Sequence, residues 1–599
     1  MIYHCEDHTC NYWDEGEKLP ERCPQCGRKL LRANEADMTG DDWTALGNTL
    51  WDAEASDKKR MVDCFRKAAY LGSAWGVCNL GICMEQGNGV EADPVQAFWL
   101  YQQAVEMGSL NAVCCLGVCY ECGIGTAPDA EKAAELYCKA AEYGSPRGQM
   151  LLARAFHDGI GVEADAAEAV YWVRAAAYQR YGEGMYRLGV CYEYGDGVEQ
   201  NWEHAVHWFR EAAESGVSAA MTDLGYCYEK GCGVEQSWEQ AFSWYRRGAE
   251  CGYPVSMGNL GLCYKRGYGV EQNWQEAIKW YEQGAQCGDL QSMHNLACCY
   301  ERGEGVEQNE DRALYWYRRS AEGGNGDAMC NLGRCYERGY GVEQNWQEAV
   351  KWYEQGAQCG NLQSMNNLAY CYERGEGVKQ NMTEAIRWYT AAAEGGNADA
   401  MHNLGWHYDY GEGVEQDMKK AICWYERAAE QNHPAAMNSL GECYAMGRGV
   451  PRDLETAMEW YRRAAELGEA MADYNMGWHL EQAGKLSEAY AHYRKAADGN
   501  DDSAWWALGR FYENGVVVAQ DGKEARRCYE TGEKLGSVKC KMRLARCKLL
   551  GIGGRRAKKA GLDLCRQALE LAKESSEKED YGYEAEMNLL RRTIAENES

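Results

Sequence analysis

The chain has 599 residues, a formal net charge of −29 and 30 cysteines. Nucleic acid and anionic membrane surfaces both need a basic footprint, so a chain this acidic excludes them as expected partners. No stretch reaches the ~20 consecutive apolar residues that span a bilayer, and no charged leader followed by an apolar run opens the sequence. We therefore expect a cytoplasmic protein whose cysteines are reduced.

The first 36 residues contain two pairs of cysteines with the character of a metal-binding knuckle. Cys23 and Cys26 flank a Cys-Pro-x-Cys-Gly turn, which directs backbone N–H groups at thiolate sulfur. Cys5 and Cys10 form the other pair, spaced Cys-x4-Cys instead of Cys-x2-Cys. We expect these four cysteines to be the ligands, with a neighbouring histidine as the alternative to Cys5.

The run from Cys10 to Gly27 resembles the rubredoxin-like module of rubrerythrins and related zinc ribbons. The resemblance implies a small module over residues 1–36 whose folding depends on its metal. Zinc and iron both accept four thiolates. We favour structural zinc, because electron transfer by iron needs a partner redox centre and the helices show no paired Glu-x-x-His motif.

A Leu-Gly dipeptide or a near equivalent recurs every 36 residues along most of the chain. The residues that keep this step are Leu80, Leu116, Leu152, Leu188, Leu224, Leu260, Leu296, Leu332, Leu368, Leu404, Leu440 and Met476. Self-similarity at such a period indicates a solenoid built from one supersecondary unit. We expect an all-α solenoid of about fifteen αα-hairpin repeats over residues 41–555, and a C-terminal helical cap over residues 556–599.

Each repeat is predicted to be two short helices joined by a glycine-rich turn. In the repeat from Met257 to Gln291, apolar and small residues follow the i, i+3, i+4, i+7 pattern of a helix. They are Met257, Leu260, Gly261 and Tyr264, then Ala277, Trp280, Tyr281, Gly284 and Ala285. Gly267 ends the first helix, and Asn273 caps the second, with Glu276 completing a capping box.

The pattern Leu260-Gly261-x-Cys-Tyr264, Gly267-x-Gly269-Val270 and Ala277-x-x-Trp280-Tyr281-x-x-Gly-Ala285 resembles the Sel1-like repeat, a relative of the tetratricopeptide repeat. The resemblance covers about Asp42 to Gly551. It implies a right-handed superhelix of helix pairs that acts as a protein-binding scaffold. One unit departs from the pattern, because the step from Met476 to Leu508 is shorter and lacks the long turn.

The positions of Asn259, Leu262 and Arg266 lie opposite the core stripe of their helix. Because the first helices of such pairs line the concave wall, we expect these positions to face a groove that binds a protein or peptide segment. Down the array the first position is mostly Asn, the third is often basic and the middle one varies. The candidate groove residues are Tyr226, Asn259, Arg266, Asn295, Arg302, Asn331, Arg334, Arg338, Asn367, Tyr370, Arg374, Asn403 and Trp406.

Side chains of these types suit an acidic or carboxylate-bearing segment, since arginine bonds a carboxylate through two donors and exposed Tyr370 and Trp406 would be rigid anchors. The alternative is structural. Each arginine lies at a helix C-terminus, where a cation favours the macrodipole, and each asparagine can bond its neighbour along the stack.

No recurring catalytic arrangement accompanies the repeats. Gly-x-Gly-Val follows a helix and no Gly-Lys-Ser/Thr completes it, so it is not a phosphate loop. The 11 histidines are scattered singly, and no nucleophile elbow occurs. We expect a non-enzymatic interaction scaffold. Two alternatives are a redox-responsive iron- or zinc-thiolate regulatory protein and a secreted effector that binds host proteins.

Overall fold

The computed structural model describes residues 2–5, 13–15, 30–32, 38–51, 55–578 and 584–598. Three short strands come first: β1 (Ile2–Cys5), β2 (Trp13–Glu15) and β3 (Leu30–Arg32). They form one antiparallel sheet in the order β2-β1-β3, in which Tyr3 lies opposite both Asp14 and Arg32. The regular elements described after this sheet are all helices.

The chain divides into two units, Met1–Asn309 and Glu310–Ser599. The helices of the first unit are α1 (Gly40–Thr49), α2 (Ala55–Tyr70), α3 (Ala74–Gln86), α4 (Pro94–Glu106), α5 (Leu110–Cys122), α6 (Ala130–Glu142), α7 (Pro146–Asp158), α8 (Ala166–Tyr178), α9 (Gly182–Tyr194), α10 (Trp202–Glu214), α11 (Ser218–Lys230), α12 (Trp238–Glu250), α13 (Pro254–Arg266), α14 (Trp274–Gln286) and α15 (Leu290–Arg302). Those of the second unit are α16 (Glu310–Glu322), α17 (Gly326–Arg338), α18 (Trp346–Gln358), α19 (Leu362–Arg374), α20 (Met382–Glu394), α21 (Ala398–Tyr410), α22 (Met418–Glu430), α23 (Pro434–Met446), α24 (Leu454–Glu466), α25 (Ala470–Gln482), α26 (Leu486–Asp498), α27 (Asp502–Asn514), α28 (Gly522–Lys534), α29 (Val538–Leu550), α30 (Lys558–Lys578) and α31 (Glu584–Glu598). None of these described helices combines the length and the apolar character needed to cross a membrane.

Within each unit, consecutive helices pack as pairs. In the first unit the pairs run from α1 with α2 to α13 with α14, and in the second unit from α17 with α18 to α29 with α30. The second helix of each pair also packs against the first helix of the next pair in the same unit. This arrangement confirms the predicted all-α stack of αα-hairpins, and the right-handedness of the superhelix stays a prediction.

Glycines end the first helices and shape the turns after them. Gly267 follows α13 with φ of 74°, and its N–H donates to the carbonyl of Cys263 at 2.9 Å. Two residues later, Gly269 has φ of 67°, and a Cβ placed there would lie 2.2 Å from the carbonyl oxygen of Trp238. Only glycine therefore fits the point where this turn crosses the preceding helix pair.

The predicted capping box at Asn273 is half wrong. The Asn273 side chain does accept bonds from the N–H groups of Gln275 and Glu276. Its own N–H, however, donates to the carbonyl of Tyr264 at 2.9 Å, because the turn folds back onto the end of α13. With that donor used, the Glu276 carboxylate lies 3.3 Å from Nζ of Lys279 instead.

The core is built around a tyrosine on the second helix. Among the largest fully buried side chains are Tyr101, Tyr137, Tyr245, Tyr281, Tyr317, Tyr353, Tyr389, Tyr425, Tyr461, Tyr493 and Tyr529. The glycine of the Leu-Gly pair faces this ring, and a Cβ placed on Gly261 would lie 2.7 Å from the Tyr281 ring. The glycine thus recurs because the ring occupies the space of a side chain. Trp280, which precedes this tyrosine and belongs to the apolar pattern of the second helix, is only half-buried.

The end of the second unit contains a shortened connection and two helices that follow the last first helix. Helices α25 and α26 are joined by only three residues, with Gly484 at φ of 74°, as the shortened repeat predicts. At the C-terminal end, α30 packs on α29, and α31 contacts both. Arg543 of α29 pairs with Glu586 of α31, with Nε 2.7 Å from Oε2. These two helices cover the end of the stack, which a solenoid needs in order to bury its last apolar face.

Candidate functional site

The first helices of the pairs form one face within each unit, here called the first-helix face. Besides its own partner, a first helix contacts the first helix of the next pair, as α11 does with α13 and α13 with α15 in the first unit. In the second unit α17 contacts α19 in the same way. The candidate groove residues are on these helices, so their placement can be compared row by row.

The asparagine row is half-buried along this face. Its members are Asn259, Asn295, Asn331, Asn367 and Asn403. Nδ2 of Asn403 donates to Oδ1 of Asn366 on the preceding first helix at 3.1 Å. Asn367 accepts a bond from Nε2 of Gln363 at 3.1 Å within its own helix. These amides hold neighbouring turns and helices together, which is the structural role that the sequence left open. Their contact with a partner stays a prediction.

The basic row lies at the helix ends and is exposed. Arg266, Arg302, Arg338 and Arg374 are the last residues of α13, α15, α17 and α19. Nε of Arg374 lies 3.9 Å from Glu373, and its guanidinium lies 5.7 Å from the ring of Tyr370. An exposed pair of this kind contributes less than about 1 kcal/mol. The guanidinium can therefore exchange that neighbour for the carboxylate of a ligand at little cost.

The middle row contains exposed and half-buried side chains. Tyr226 is 44% exposed and Tyr370 is 41% exposed, so both rings are accessible. Trp406, which we expected to be an exposed anchor, is instead half-buried, as is Arg334. The indole of Trp406 packs against Tyr410 one turn later, with the ring centroids 5.0 Å apart. Among the candidate groove residues, the accessible aromatic rings are therefore Tyr226 in the first unit and Tyr370 in the second.

A row of carboxylates in the last turn of the first helices was not anticipated. The hydroxyl of Tyr245 donates to Oε2 of Glu229 at 2.9 Å, and that of Tyr529 donates to Glu513 at 2.7 Å. Within a pair, the carboxylate therefore joins the end of the first helix to the buried ring of the second. Charge-assisted bonds of this type are about twice as strong as neutral ones.

Cations of the next repeat bind the same carboxylates. Nη2 of Arg154 lies 2.5 Å from Glu121, which also accepts the hydroxyl of Tyr137. In the second unit, Nη1 of Arg448 lies 2.8 Å from Asp409. Because Glu121 and Asp409 each bond a phenol and a cation, they join the two helices of a pair to the next repeat.

Some of the described repeats break this pattern, among them the repeats of Tyr281 and Phe209. Lys265 takes the carboxylate position below Tyr281, whose buried hydroxyl has no hydrogen-bond partner. Lys265 pairs instead with Glu304, with 3.1 Å between Nζ and Oε2. In the second of these repeats Phe209 replaces the tyrosine, so the second helix offers Glu193 no hydroxyl at that position, and burial raises the pKa of the Glu193 carboxyl.

The expected metal ligands lie almost wholly outside the described residues. Cys5 ends strand β1, while Cys10, Cys23 and Cys26 fall in parts of the chain that are not described. Within the described ranges, no group of three or more His, Cys, Asp or Glu side chains is arranged to hold a metal ion. The knuckle therefore stays a prediction.

The Sel1 repeat profile matches thirteen stretches that together make up most of the chain. They are residues 76–109, 112–145, 146–181, 182–217, 218–253, 254–289, 290–325, 326–361, 362–397, 398–433, 434–469, 470–501 and 504–537. The chain belongs to the Sel1 repeat family.

Two solved Sel1-type structures are similar to it. One is a protective antigen present in uropathogenic Escherichia coli strains that displays an SLR fold, at 32% identity over 75% of this chain and 97% of that chain, with a TM-score of 0.52. The other is a Sel1 repeat protein from Oxalobacter formigenes, at 33% identity over 41% of this chain and 96% of that chain, with a TM-score of 0.38. Comparison with curated proteins finds no match.

The Sel1 repeats of this chain also show how the carboxylate row could have been found. An acidic residue recurs sixteen positions before the buried tyrosine, as Glu229 does before Tyr245 and Glu373 before Tyr389. The spacing is visible in the sequence, but it links the end of one helix to the middle of another. Only the packing of the pair shows that these two positions meet.

Proposed function

We propose that this Sel1 repeat protein is a non-enzymatic scaffold that binds a segment of a partner protein on the first-helix face. The observation that supports it most is a pair of side chains that occurs in both units. Tyr226 is exposed beside Lys230, and Tyr370 is exposed beside Arg374, each cation 5.7 Å from its ring. Aromatic rings and arginines are the residues that most often dominate binding energy at interfaces.

The chemistry of these pairs favours a partner segment that carries carboxylates. Lys230 and Arg374 end their helices and are exposed, and each forms an ion pair with a half-buried neighbour on its own helix, Glu229 and Glu373 respectively. A carboxylate of the partner would gain a charge-assisted bond to the cation, while an apolar group beside it would cover the tyrosine ring.

The test is affinity capture with matched variants, read by quantitative mass spectrometry. The face variant carries Tyr226→Ala with Tyr370→Ala. The control variant carries Tyr171→Ala with Tyr315→Ala, which removes two exposed tyrosines from second helices instead. A protein that is captured by the wild type and the control but lost with the face variant supports the proposal. Equal capture by all three forms contradicts it.

We also propose that Cys5, Cys10, Cys23 and Cys26 hold a structural zinc ion at the amino terminus. Four thiolates form a tetrahedral donor set that suits zinc. The supporting observation is the three-stranded sheet, whose central strand β1 ends at Cys5. Elemental analysis of the purified protein should find one zinc per chain, lost in Cys23→Ser with Cys26→Ser. A red protein containing iron would instead favour the redox-responsive alternative.

We propose a cytoplasmic location for the protein. No disulfide joins the cysteines whose side chains the structure describes, and most of those in the first helices are buried. Buried free cysteines behave as small apolar residues and persist best in a reducing compartment. Thiol counting on protein isolated under non-reducing conditions tests this, since several disulfides would favour the secreted effector.

A further inference from the structure

Helix α8 carries Val173 where its neighbours carry a buried aromatic ring. Tyr137 of α6 and Phe209 of α10 stand at the same repeat position, and both are fully buried. A Cβ placed on Gly189 would lie 2.6 Å from the Phe209 ring, which shows how closely the ring and the glycine meet. In the pair α7–α8, Ala153 replaces that glycine. The Val173 side chain and the methyl group of Ala153 are together smaller than the aromatic ring of the neighbouring repeats. Much of the space that the ring occupies there is therefore left unfilled here.

A cavity of about 500 Å³ lies at this place, between α7, α8 and α9. Its floor is apolar and contains Ala153, Val170 and Val173. Its rim includes Leu151 of α7 and Val190 of α9, which stand at groove positions of their repeats. The cavity therefore belongs to the first-helix face of the first unit, and it has the mixed apolar and polar wall that is typical of ligand pockets.

Two of the arginines in the wall already bind carboxylates. Arg154 lies 2.5 Å from Glu121, and Nε of Arg187 lies 3.0 Å from Oε1 of Glu183. Their charges are largely balanced before any ligand arrives, and they frame the cavity rather than supply its free donors.

Arg147 differs from them. It is half-buried in the cavity wall, and it forms no ion pair with a carboxylate of the described residues. Its Nη1 donates only long bonds, to Oδ1 of Asn111 at 3.4 Å and to Sγ of Cys115 at 3.7 Å. A guanidinium that is withdrawn from water without a carboxylate has donor capacity left for an anionic group.

We propose that this cavity binds an aromatic side chain of a partner segment, and that a carboxylate of the same segment bonds to Arg147. The proposal rests on the scaffold function and names the chemistry that one site on the face selects. The aromatic group is favoured because the surrounding helices are spaced for a ring that α8 does not supply. The carboxylate is favoured because Arg147 lacks one.

The chain itself provides the variant that closes the cavity. The double substitution Ala153→Gly with Val173→Phe recreates the Gly189 and Phe209 pair of the next repeat. Phenylalanine is chosen over tyrosine because it has no hydroxyl that would need an acceptor. Filling an apolar cavity with the ring that the fold accommodates should keep or raise the melting temperature. Loss of binding in this variant would therefore not come from unfolding.

The probe is a random twelve-residue peptide display library, selected on the full-length protein. Selected peptides should carry a Tyr, Phe or Trp beside an Asp or Glu, and the closed variant should weaken their binding by about tenfold or more. Equal binding to the wild type and the closed variant overturns the cavity proposal. If, in that case, Tyr226→Ala with Tyr370→Ala weakens the binding of the same peptides, the scaffold proposal is kept and only the cavity proposal is overturned. A library that yields no binder at all contradicts both.

Arg147→Met tests the carboxylate contact without changing the packing of the ring site. It should weaken the acidic aromatic peptides several-fold and leave versions with Asn or Gln in place of the acid unchanged. The matched control is Arg246→Met, which removes an exposed arginine of α12 that forms an ion pair with its neighbour Glu250. Equal loss with both variants would indicate a general charge effect and overturn the assignment of Arg147.

Discussion

The hydroxyl of Tyr353 donates a hydrogen bond to Oε2 of Glu337 at 2.5 Å, whereas the equivalent hydroxyl of Tyr281 has no acceptor. The two tyrosines belong to nearly identical repeats. The residue sixteen positions before the tyrosine is Glu337 in the repeat of Tyr353 and Lys265 in the repeat of Tyr281. The chain thus contains its own comparison of the same buried phenol with and without a partner.

Removing the two hydroxyls should therefore have different consequences. Tyr353→Phe should destabilise its repeat by about 1–2 kcal/mol, because Glu337 loses a charge-assisted bond at a half-buried position. Tyr281→Phe should cost nothing or stabilise slightly, because it removes an unsatisfied buried oxygen. Amide hydrogen exchange of peptides from α18 and from α14 measures each repeat separately. Equal loss of protection in both variants would contradict the role given to the carboxylate row.

Glycine substitutions should separate strain from steric exclusion. Gly252 and Gly269 both have positive φ, but a Cβ on Gly252 meets nothing within 4 Å, while one on Gly269 would lie 2.2 Å from a carbonyl oxygen. Gly252→Ala should cost about 1 kcal/mol from backbone strain alone. Gly269→Ala should cost clearly more and disorder the turn after α13. Thermal melting and exchange of that turn test the order of the two effects.

Arg448 should matter more at neutral than at acid pH. Asp409 is only 2% exposed and pairs with Arg448 at 2.8 Å, and burial raises the pKa of its carboxyl while Arg448 opposes the rise. Arg448→Met should cost about 3 kcal/mol at pH 7, because it leaves a buried carboxylate without its cation.

The stability of Arg448→Met should depend on pH because the pKa of the Asp409 carboxyl is raised in the folded state. In Arg448→Met the folded state holds the pKa of Asp409 above its unfolded value, so the folded state binds the proton more tightly. Lowering the pH from 7 to 5 should then recover part of the loss relative to the wild type. A deficit in melting temperature that is the same at both pH values would contradict this assignment.

Two cysteines of α5 should ionise very differently. The thiol of Cys78 donates to Cys115 and Arg147 lies beside it, which lowers the pKa of Cys115. Burial raises the pKa of Cys119, one turn later, to about 12. Thiolate absorbance near 240 nm, taken as the difference between wild type and Cys115→Ser, should therefore appear below the ordinary pKa of a cysteine. Arg147→Met should shift it to higher pH, and no difference signal up to pH 9 would refute the claim.

Much of the fold could be predicted from the sequence because its information is local and repeated. The Leu-Gly step, the glycine turn at Gly267 and the asparagine cap at Asn273 each depend on residues within one repeat. The missing half of the capping box at Glu276 could not be seen, since the backbone N–H that it needs is bonded to Tyr264 in the folded turn.

The candidate site was less predictable because it depends on contacts between repeats. Asn403 bonds to Asn366 of the preceding first helix, and Trp406 is covered by Tyr410, so neither side chain is as available as its helical position suggests. The cavity beside Val173 lies where other repeats place an aromatic ring and this repeat has only a valine. A single substitution of this kind does not by itself indicate a cavity in the sequence. The periodicity of the sequence predicts the structure of an average repeat. The cavity, in contrast, lies in a repeat that departs from that average.

The most direct test of the scaffold account is site-specific photo-crosslinking in the cells that produce the protein. A photoreactive phenylalanine analogue is placed at Tyr226 or Tyr370 on the first-helix face, and at Tyr171 or Tyr315 on second helices as controls. If the first-helix face binds the partner, the first two positions form adducts with the same partner protein and the two controls do not. Adducts formed only from the second-helix positions, or no adduct from any of the four, would contradict the scaffold account.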